Sequence, residues 1–529
     1  MMINVSREKI NRLLSIHGWS GITLGLFLYV VIVTGAVAVL ASEIGEWSAG
    51  GKNSEAPLTS GINKHVLAFA ETVNSEYTED VSIFGNSASN AVVFFHTHAT
   101  NSSGLPDDLG TMIEFKPDNG EVILRRDGYG SELFGTDPGS ALDHFIAELH
   151  INLHLPNPYG LYATGILGLV MFVAAGSGLV IHRSLLKDVF SPARYKNAVL
   201  HRRDRHVLAG SWALPFAFAL AFTGSFYSFA ISIGLPMVAK TAFGGDQMAM
   251  FSTLVGAPAA SDETPAKTVN LDTLINDVIS REGVNPTNLS ISHFGRADAV
   301  VTIGLPAPEG QFIGKTIQYN GATGEYTRDK PFIGTQDSAG NTLIMLMGAL
   351  HFGTFAGLLS KIVWVCMGFA MAFVTYTGMQ FWVERRKDQP LWQKFNKALQ
   401  VFAFGLPIAL ACSGIGFMLS AQATTTQFWT PVGFILGTIA MFVTPLIWRD
   451  VTLLKKRLMF LMGISLVILP PLRWLFVGNV ADSFLTIDTN VLMLDCILLI
   501  LGAYCLVKPR LKDINVVNTD KAKIKEAMS

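Results

Sequence analysis

Cysteine and charge are both scarce in this chain. Its four cysteines, Cys366, Cys412, Cys496 and Cys505, sit inside apolar runs, and none forms a CxxC or CxxCH spacing. No disulfide framework, zinc ribbon or covalently attached c-type haem is expected from such a set. Only 15% of the 529 residues are charged while 50% are hydrophobic, and the formal net charge is -1. A water-soluble chain of this length does not need that balance, and no basic field is present to draw nucleic acid. The composition is that of a polytopic membrane protein. A GxGxxG nucleotide fingerprint is missing too, and residues 390 to 507 contain no histidine. Any histidine chemistry therefore belongs to the first three quarters of the chain.

Apolar runs of spanning length occur near residues 21 to 42, 159 to 181, 207 to 233, 353 to 382, 399 to 420, 429 to 448, 458 to 477 and 490 to 507. At about 1.5 Å per residue each crosses a hydrocarbon core of about 30 Å, so the expected fold is a mainly α membrane protein with eight transmembrane helices. Arg7, Lys9 and Arg12 precede the first run, which ends near Ala36-Val37-Ala38 in the manner of a signal peptide. That run is too long for a typical signal core, and it reads as a retained helix.

Charge sets the expected topology. Residues 45 to 149 hold 16 acidic and 5 basic residues, and residues 234 to 349 hold 11 and 7. Between and after them, Arg183, Lys187, Arg194, Lys196, Arg202, Arg203 and Arg205, then Arg385, Arg386 and Lys387, then Lys455, Lys456 and Arg457 form basic segments. By the positive-inside rule both long insertions lie outside the cytoplasm and both termini lie within it.

The expected division is residues 1 to 44, a tail and first helix; 45 to 149, a first outer domain; and 150 to 233, two helices around a basic loop. Next come residues 234 to 349, a second outer domain; 350 to 387, the fourth helix; 388 to 507, four additional helices; and 508 to 529, a cytoplasmic tail. Each outer insertion carries a helix-like stretch, Lys64 to Asn74 or Leu271 to Glu282, then a hairpin: TMIEFKPDNGEVI in the first and KTIQYNGATGEYT in the second. Both read as α+β domains.

The hairpins are one trace of a duplication that also runs through the membrane. His17 precedes Thr34-Gly35 by 17 residues, and His206 precedes Thr223-Gly224 by 17. Leu149-His150 stands 28 residues before Ser177-Gly178, counted from Leu to Ser, and Leu350-His351 stands 27 before Thr377-Gly378. The unit is helix, outer domain, helix, used twice in parallel orientation, which implies a pseudo-two-fold axis along the membrane normal.

Such an axis brings equivalent residues face to face, His17 with His206 and His150 with His351. A b-type haem needs two axial imidazoles on facing helices with small residues where the macrocycle lies flat, and two pairs imply two haems. Gly18, Gly21, Gly210, Gly353 and Gly357 lie nearby in sequence. Imidazole ligates iron while neutral, which avoids burying a charge in lipid. Two further histidines leave the pairing open. His182 sits at the depth of His17 and His206, though its repeat equivalent is Trp382, and His154 competes with His150. His96 and His98 share one face of a strand and are read as an exposed polar pair with a metal-binding alternative. Arg473, late in the seventh helix, is expected to snorkel to the interface, with an ion pair as the alternative.

The stretches LLSIHGWSGITLG, ELHINLHLPNPYG, SGLVIHR, RDRHVLAGSWALPFAFALAFTG and ALHFGTFAGLLSK, over residues 10 to 387, resemble the PepSY-associated transmembrane family of bacterial inner-membrane proteins. The resemblance implies two periplasmic PepSY-like domains on a four-helix core that holds haem b and passes electrons outward to a ferric siderophore. It implies His17, His150, His182, His206 and His351 as the recurrent histidines. On that reading the activity is reduction of Fe(III) in a siderophore or other chelate, which releases the metal because hard oxygen donors hold Fe(II) less tightly. The donor would be a cytoplasmic partner or a membrane quinol. Two other classes fit the sequence: a haem-free protein whose outer domains restrain an envelope peptidase, and an iron or siderophore permease.

Overall fold

The computed structural model describes residues 6–50, 58–85, 90–100, 106–134, 138–182, 198–255, 261–306, 314–331, 334, 336, 338–423, 425–478 and 489–510. The expected basic loop from Arg183 to Lys196 and most of the C-terminal tail fall outside these residues. The helices in chain order are α1 (Arg7–Thr23), α2 (Gly25–Ala38), α3 (Ala41–Ser48), α4 (Asn63–Ala70), α5 (Gly130–Phe134), α6 (Ala141–Asn152), α7 (Tyr159–Ile181), α8 (Ala198–Phe229), α9 (Leu235–Ala242), α10 (Gln247–Val255), α11 (Leu271–Glu282), α12 (Ala339–Phe352), α13 (Gly357–Glu384), α14 (Pro390–Ser420), α15 (Thr426–Ile447), α16 (Val451–Phe476) and α17 (Thr489–Val507). The chain divides into two compact units, one of Met1–Gly50, Ala141–Ser232 and Ile362–Ser529, the other of Gly51–Ser140 and Ile233–Lys361.

The first unit is helical. Among the described residues six helices are long and apolar enough to cross a membrane, beginning at Tyr159, Val199, Gly357, Pro390, Thr426 and Val451. The chain is a multi-pass membrane protein. The first expected span departs from a straight helix: α1 and α2 meet at Leu24 with a bend of 69°. Ser20, Gly21 and Gly25 flank the break, and such Gly/Ser clusters are where helices kink. Counted as one crossing, the bent pair makes seven; α17, expected as the eighth, contributes a shorter apolar helix over Val491–Val507. Leu28, Ile32 and Val33 of α2, Leu167 of α7, Ala213 of α8 and Met371 of α13 share one buried cluster. Of the four C-terminal helices, α14 reaches this core through Leu406 and Leu410, and nearly half of its residues are buried.

The second unit is built on a sheet, and here the expectation of two separate α+β domains is corrected. β1 (Asp80–Gly85), β2 (Ala91–Thr100), β3 (Pro106–Phe115), β4 (Val122–Tyr129), β5 (Asn288–Ser292), β6 (Val300–Gly304), β7 (Thr316–Asn320) and β8 (Tyr326–Asp329) form one antiparallel sheet in the order β4-β3-β2-β1-β5-β6-β7-β8. The two insertions join at its centre, where β1 pairs with β5 in the register Asp80↔Ser292 to Phe84↔Asn288. Each half would otherwise expose a row of unpaired backbone groups at β1 or β5, and mutual pairing removes both edges. A single core follows: Val81, Phe95 and Ile113 from one half and Ile291, Val301 and Tyr319 from the other are almost fully buried, together with Val66 of α4 and Leu274, Ile275 and Val278 of α11. Burying each of these large side chains contributes about 1.5–3 kcal/mol.

The two helices on this sheet cap one another. Asp272 of α11 accepts the backbone N–H groups of Gly61, Ile62 and Asn63 at the start of α4, at 2.7, 3.0 and 3.3 Å. Asn63 in return accepts the N–H of Leu271 at 3.0 Å. Helix N-termini leave such donors without helical partners, and the duplicated halves supply each other's.

Candidate functional site

His17 lies two-thirds of the way along α1, before the bend, so its side chain faces α7 rather than continuing the line of α2. His206 lies in the first half of α8. The structure brings these two histidines together: their ring centres are 6.0 Å apart with planes inclined at 68°. Both are half-buried. Two imidazoles held on opposite sides of one metal, at about 2.0–2.1 Å per bond to nitrogen, stand roughly 6 Å apart between ring centres.

Each ring is fixed through its other nitrogen. Nδ1 of His17 lies 3.0 Å from the carbonyl oxygen of Ala174 and 3.1 Å from Oγ of Ser177, both on α7. Nδ1 of His206 lies 2.9 Å from the carbonyl of Val374 on α13. Nδ1 of His150, at the end of α6, lies 3.0 Å from the carbonyl of Val31 on α2. A nitrogen facing a carbonyl oxygen must carry the proton, so in all three the lone pair resides on Nε2. That is the tautomer a metal-ligating histidine adopts, with a carbonyl acceptor orienting the ring.

The same short motif receives each ring. Four residues beyond the accepting carbonyl stands a glycine, preceded by Ser or Thr: Ala174 with Ser177-Gly178, Val374 with Thr377-Gly378, Val31 with Thr34-Gly35. A Cβ on Gly35 would lie 2.6 Å from the ring of His150, one on Gly378 would lie 2.9 Å from that of His206, and one on Gly178 would lie 3.5 Å from that of His17. The Ser and Thr hydroxyls turn back onto their own helices, Ser177 to Ala174, Thr377 to Val374 and Thr34 to Val31. His150 and His206 therefore pack against bare backbone, while His17 also meets the Ser177 hydroxyl. Sequence reading used these Ser/Thr-Gly pairs only as landmarks of the repeat and missed this role. Their fixed spacing from the histidines was the signal.

Other expected positions are placed differently. Gly21 is open, with no atom within 4 Å of an added Cβ, and Gly210 meets only Val374 at 3.7 Å. Gly18 is instead filled by the ring of Trp382, at 2.6 Å from a Cβ, so it serves packing. His154 stacks on Phe145 at 4.3 Å and places Nε2 3.0 Å from the Phe145 carbonyl, which commits that nitrogen to structure. His182 caps the end of α7, its backbone N–H donating to Gly178. His351 lies near the end of α12, in the second unit, where Gly353 in the left-handed conformation caps the helix. Among the described residues no group of three or more His, Cys, Asp or Glu is arranged to hold a metal ion, so the histidine pair stands without carboxylate or thiolate company.

The chain belongs to the PepSY-associated TM region family. The family's model matches residues 14–385, which include all four register histidines. An uncharacterised protein of Pseudomonas aeruginosa is similar at 25% identity over 318 residues, 55% of this chain and 75% of that one. Helices α14 to α17 lie beyond the region that the PepSY-associated TM model matches.

Among the described residues, those added helices decide between the two readings of Arg473. Arg473 does not snorkel. It is 4% exposed and pairs with Asp495 of α17, 2% exposed, at 2.7 Å. Asp495 also accepts the indole N–H of Trp47 at 2.7 Å and of Trp474 at 2.8 Å. With a second contact from Nε of Arg473 at 3.4 Å, four donor contacts satisfy both carboxylate oxygens, which makes the burial of the pair tolerable.

His96 and His98 do share one face of β2, as read from the sequence, but carboxylates surround them. Asp108 lies 2.7 Å from His98 and 3.5 Å from His96, and Asp80 lies 3.4 Å from His98. Hydrogen bonding to His96 and then to His98 holds the Asp108 carboxyl below its ordinary range. Burial alone would lower His98, but its hydrogen bond to Asp108 and the nearby carboxylates outweigh that and raise it.

Proposed function

We propose that this protein is a di-haem b membrane oxidoreductase that reduces ferric iron held in a siderophore or another chelate. The observation that carries the reading is the matched anchoring of His17 and His206: ring centres 6.0 Å apart, each Nδ1 on a backbone carbonyl, each ring beside a Ser/Thr-Gly step. Haem, when bound, supplies one-electron redox chemistry at a centre whose axial imidazole ligands are neutral. His17 and His206 hold one such group. On the repeat register of the sequence alone His150 and His351 are the ligands of the second, and His182 is the alternative to either His17 or His206 in the first. The carbonyls of Ala174, Val374 and Val31 keep the imidazoles in the ligating tautomer and set their orientation. With the first and last helices included, the layout is eight crossings in a bacterial inner membrane, both termini cytoplasmic and the sheet unit periplasmic. The donor is a quinol or a cytoplasmic partner.

The test is a reduced-minus-oxidised absorbance spectrum of purified protein with a quantitative haem assay, repeated on His17→Ala, His206→Ala and His150→Ala. Two haems per chain are expected, with His17→Ala and His206→Ala losing the same one and His150→Ala the other. Protein that stays haem-free despite ample haem during expression overturns the reading and favours the outer sheet as a module that binds an envelope partner.

A further inference from the structure

Helix α14 is outside the duplicated core, yet it touches that core at two tyrosines. Tyr29 of α2 donates its hydroxyl to the carbonyl of Ala403 at 3.1 Å. Tyr376 of α13 donates to the side-chain carbonyl of Gln400 at 3.0 Å, and Gln400, 2% exposed, donates in turn to Asn396 at 3.1 Å. Gln380 adds a hydrogen bond to the Tyr376 hydroxyl. Both tyrosines pack against the cluster of Ile22, Met379 and Leu399.

Each tyrosine stands two residues from a carbonyl that orients a histidine. Tyr29 is two before Val31, which receives His150, and Tyr376 is two after Val374, which receives His206. Residues two apart on a helix point to opposite sides, so α2 and α13 are each held between α14 on one side and a histidine on the other. The duplication supplies an internal control. The 189-residue offset from His17 to His206 carries Tyr29 to Phe218, and the 200-residue offset from Gly178 to Gly378 makes Gly176 the counterpart of Tyr376. Phe218 and Gly176 also lie together, with the Phe218 ring 3.9 Å from a Cβ on Gly176, but neither has a hydroxyl. The hydroxyls occur on the side of the core that meets α14.

We propose that α14, through Tyr29 and Tyr376, sets the two carbonyls that orient His150 and His206 and so tunes the two haem sites. The inference rests on the haem reading above. Its physical basis is that the strength of the hydrogen bond at Nδ1 governs how basic the imidazole is toward a metal, one of the levers on a haem's reduction potential. Tyr29 and Tyr376 are positioning residues. They act through the helices that carry Val31 and Val374.

The experiment is a spectroscopic redox titration of the full-length protein and of Tyr29→Phe, Tyr376→Phe, Gln400→Leu and the Tyr376→Phe/Gln400→Leu double variant, with haem content and size-exclusion behaviour measured on each. His206→Ala and His150→Ala assign the two redox waves. Tyr376→Phe and Gln400→Leu are expected to shift the wave assigned to His206 in the same direction, with the double variant shifting it by less than the sum of the two, because the Tyr376–Gln400 bond is lost in all three. Tyr29→Phe is expected to shift the His150 wave, and every variant keeps two haems. Two bound haems with both waves unmoved in all variants overturn the inference and leave the haem reading intact. A parental protein without haem overturns the reading and the inference together.

Discussion

His206 rests Nδ1 on the carbonyl of Val374, and one turn further along the same helix Gly378 leaves room for its ring: a Cβ there would stand 2.9 Å from Cε1. The imidazole is clamped between an acceptor and bare backbone, so helix and ring can approach only if that glycine stays a glycine. His150 stands in the same relation to Val31 and Gly35.

Glycine substitutions should separate these sites from that of His17. Gly35→Ala and Gly378→Ala, whose Cβ atoms fall 2.6 and 2.9 Å from a histidine ring, should displace that ring and lower haem content toward one per chain. Gly178→Ala meets His17 only at 3.5 Å, an ordinary contact, and should keep both haems. In an exposed helix interior the change to Ala would add roughly 0.5–1 kcal/mol of stability. The haem assay and a thermal melt in detergent read both effects.

The buried pair Arg473–Asp495 predicts an asymmetric mutational series. Asp495→Ala strands a buried guanidinium and two indole N–H groups, and should cost about 3–5 kcal/mol. Trp47→Phe removes one neutral donor to a charged acceptor and should cost about 1.5–3 kcal/mol. Replacing both charges, Arg473→Met with Asp495→Leu, should cost less than Asp495→Ala alone. Thermal unfolding followed by size exclusion ranks the three.

In the sheet unit, Asp272→Ala should release three backbone donors at once. Hydrogen exchange at Gly61, Ile62 and Asn63 should accelerate, with the N-terminus of α4 fraying at a cost of about 1–2 kcal/mol. Asp272→Asn keeps one acceptor oxygen and should recover most of the protection. Equal exchange in parent and Asp272→Ala would show that the cross-cap contributes nothing.

The Asp108–His98 pair predicts a pH window. His98 is raised in the folded state, so its contribution is fully present below its ordinary value of about 6.5 and is lost as pH rises through the raised one. Asp108 is lowered, so its contribution is present above its ordinary value of about 3.9 and is lost as pH falls through the lowered one. The pair should therefore stabilise the sheet most between about pH 4 and 6.5. His98 is 57% exposed, which limits the effect to under about 1 kcal/mol. The difference in melting temperature between the parent and His98→Gln, measured across pH, should vanish on the alkaline side.

Much of the architecture was legible in the chain itself. Apolar runs mark the spans because a buried backbone in lipid must be helical and long enough to cross. The spacings His17 to Thr34 and His206 to Thr223 reveal the duplication, since equal folds need equal register. The kink at Leu24 was less legible, because Ser20, Gly21 and Gly25 permit a break without requiring one.

Tertiary structure decided what each histidine meets. The contacts of His17 with Ala174, His150 with Val31 and His206 with Val374 span 157, 119 and 168 residues of chain, and periodicity reports only what lies within a turn or a strand. The same holds for β1 against β5, which alternation marks as strands without choosing their neighbours, and for Arg473, whose partner Asp495 is 22 residues away on another helix. Composition, hydropathy and register belong to the sequence because each follows from local chemistry. Pairing belongs to the fold, because it depends on which surfaces are left uncovered once the helices and strands have formed.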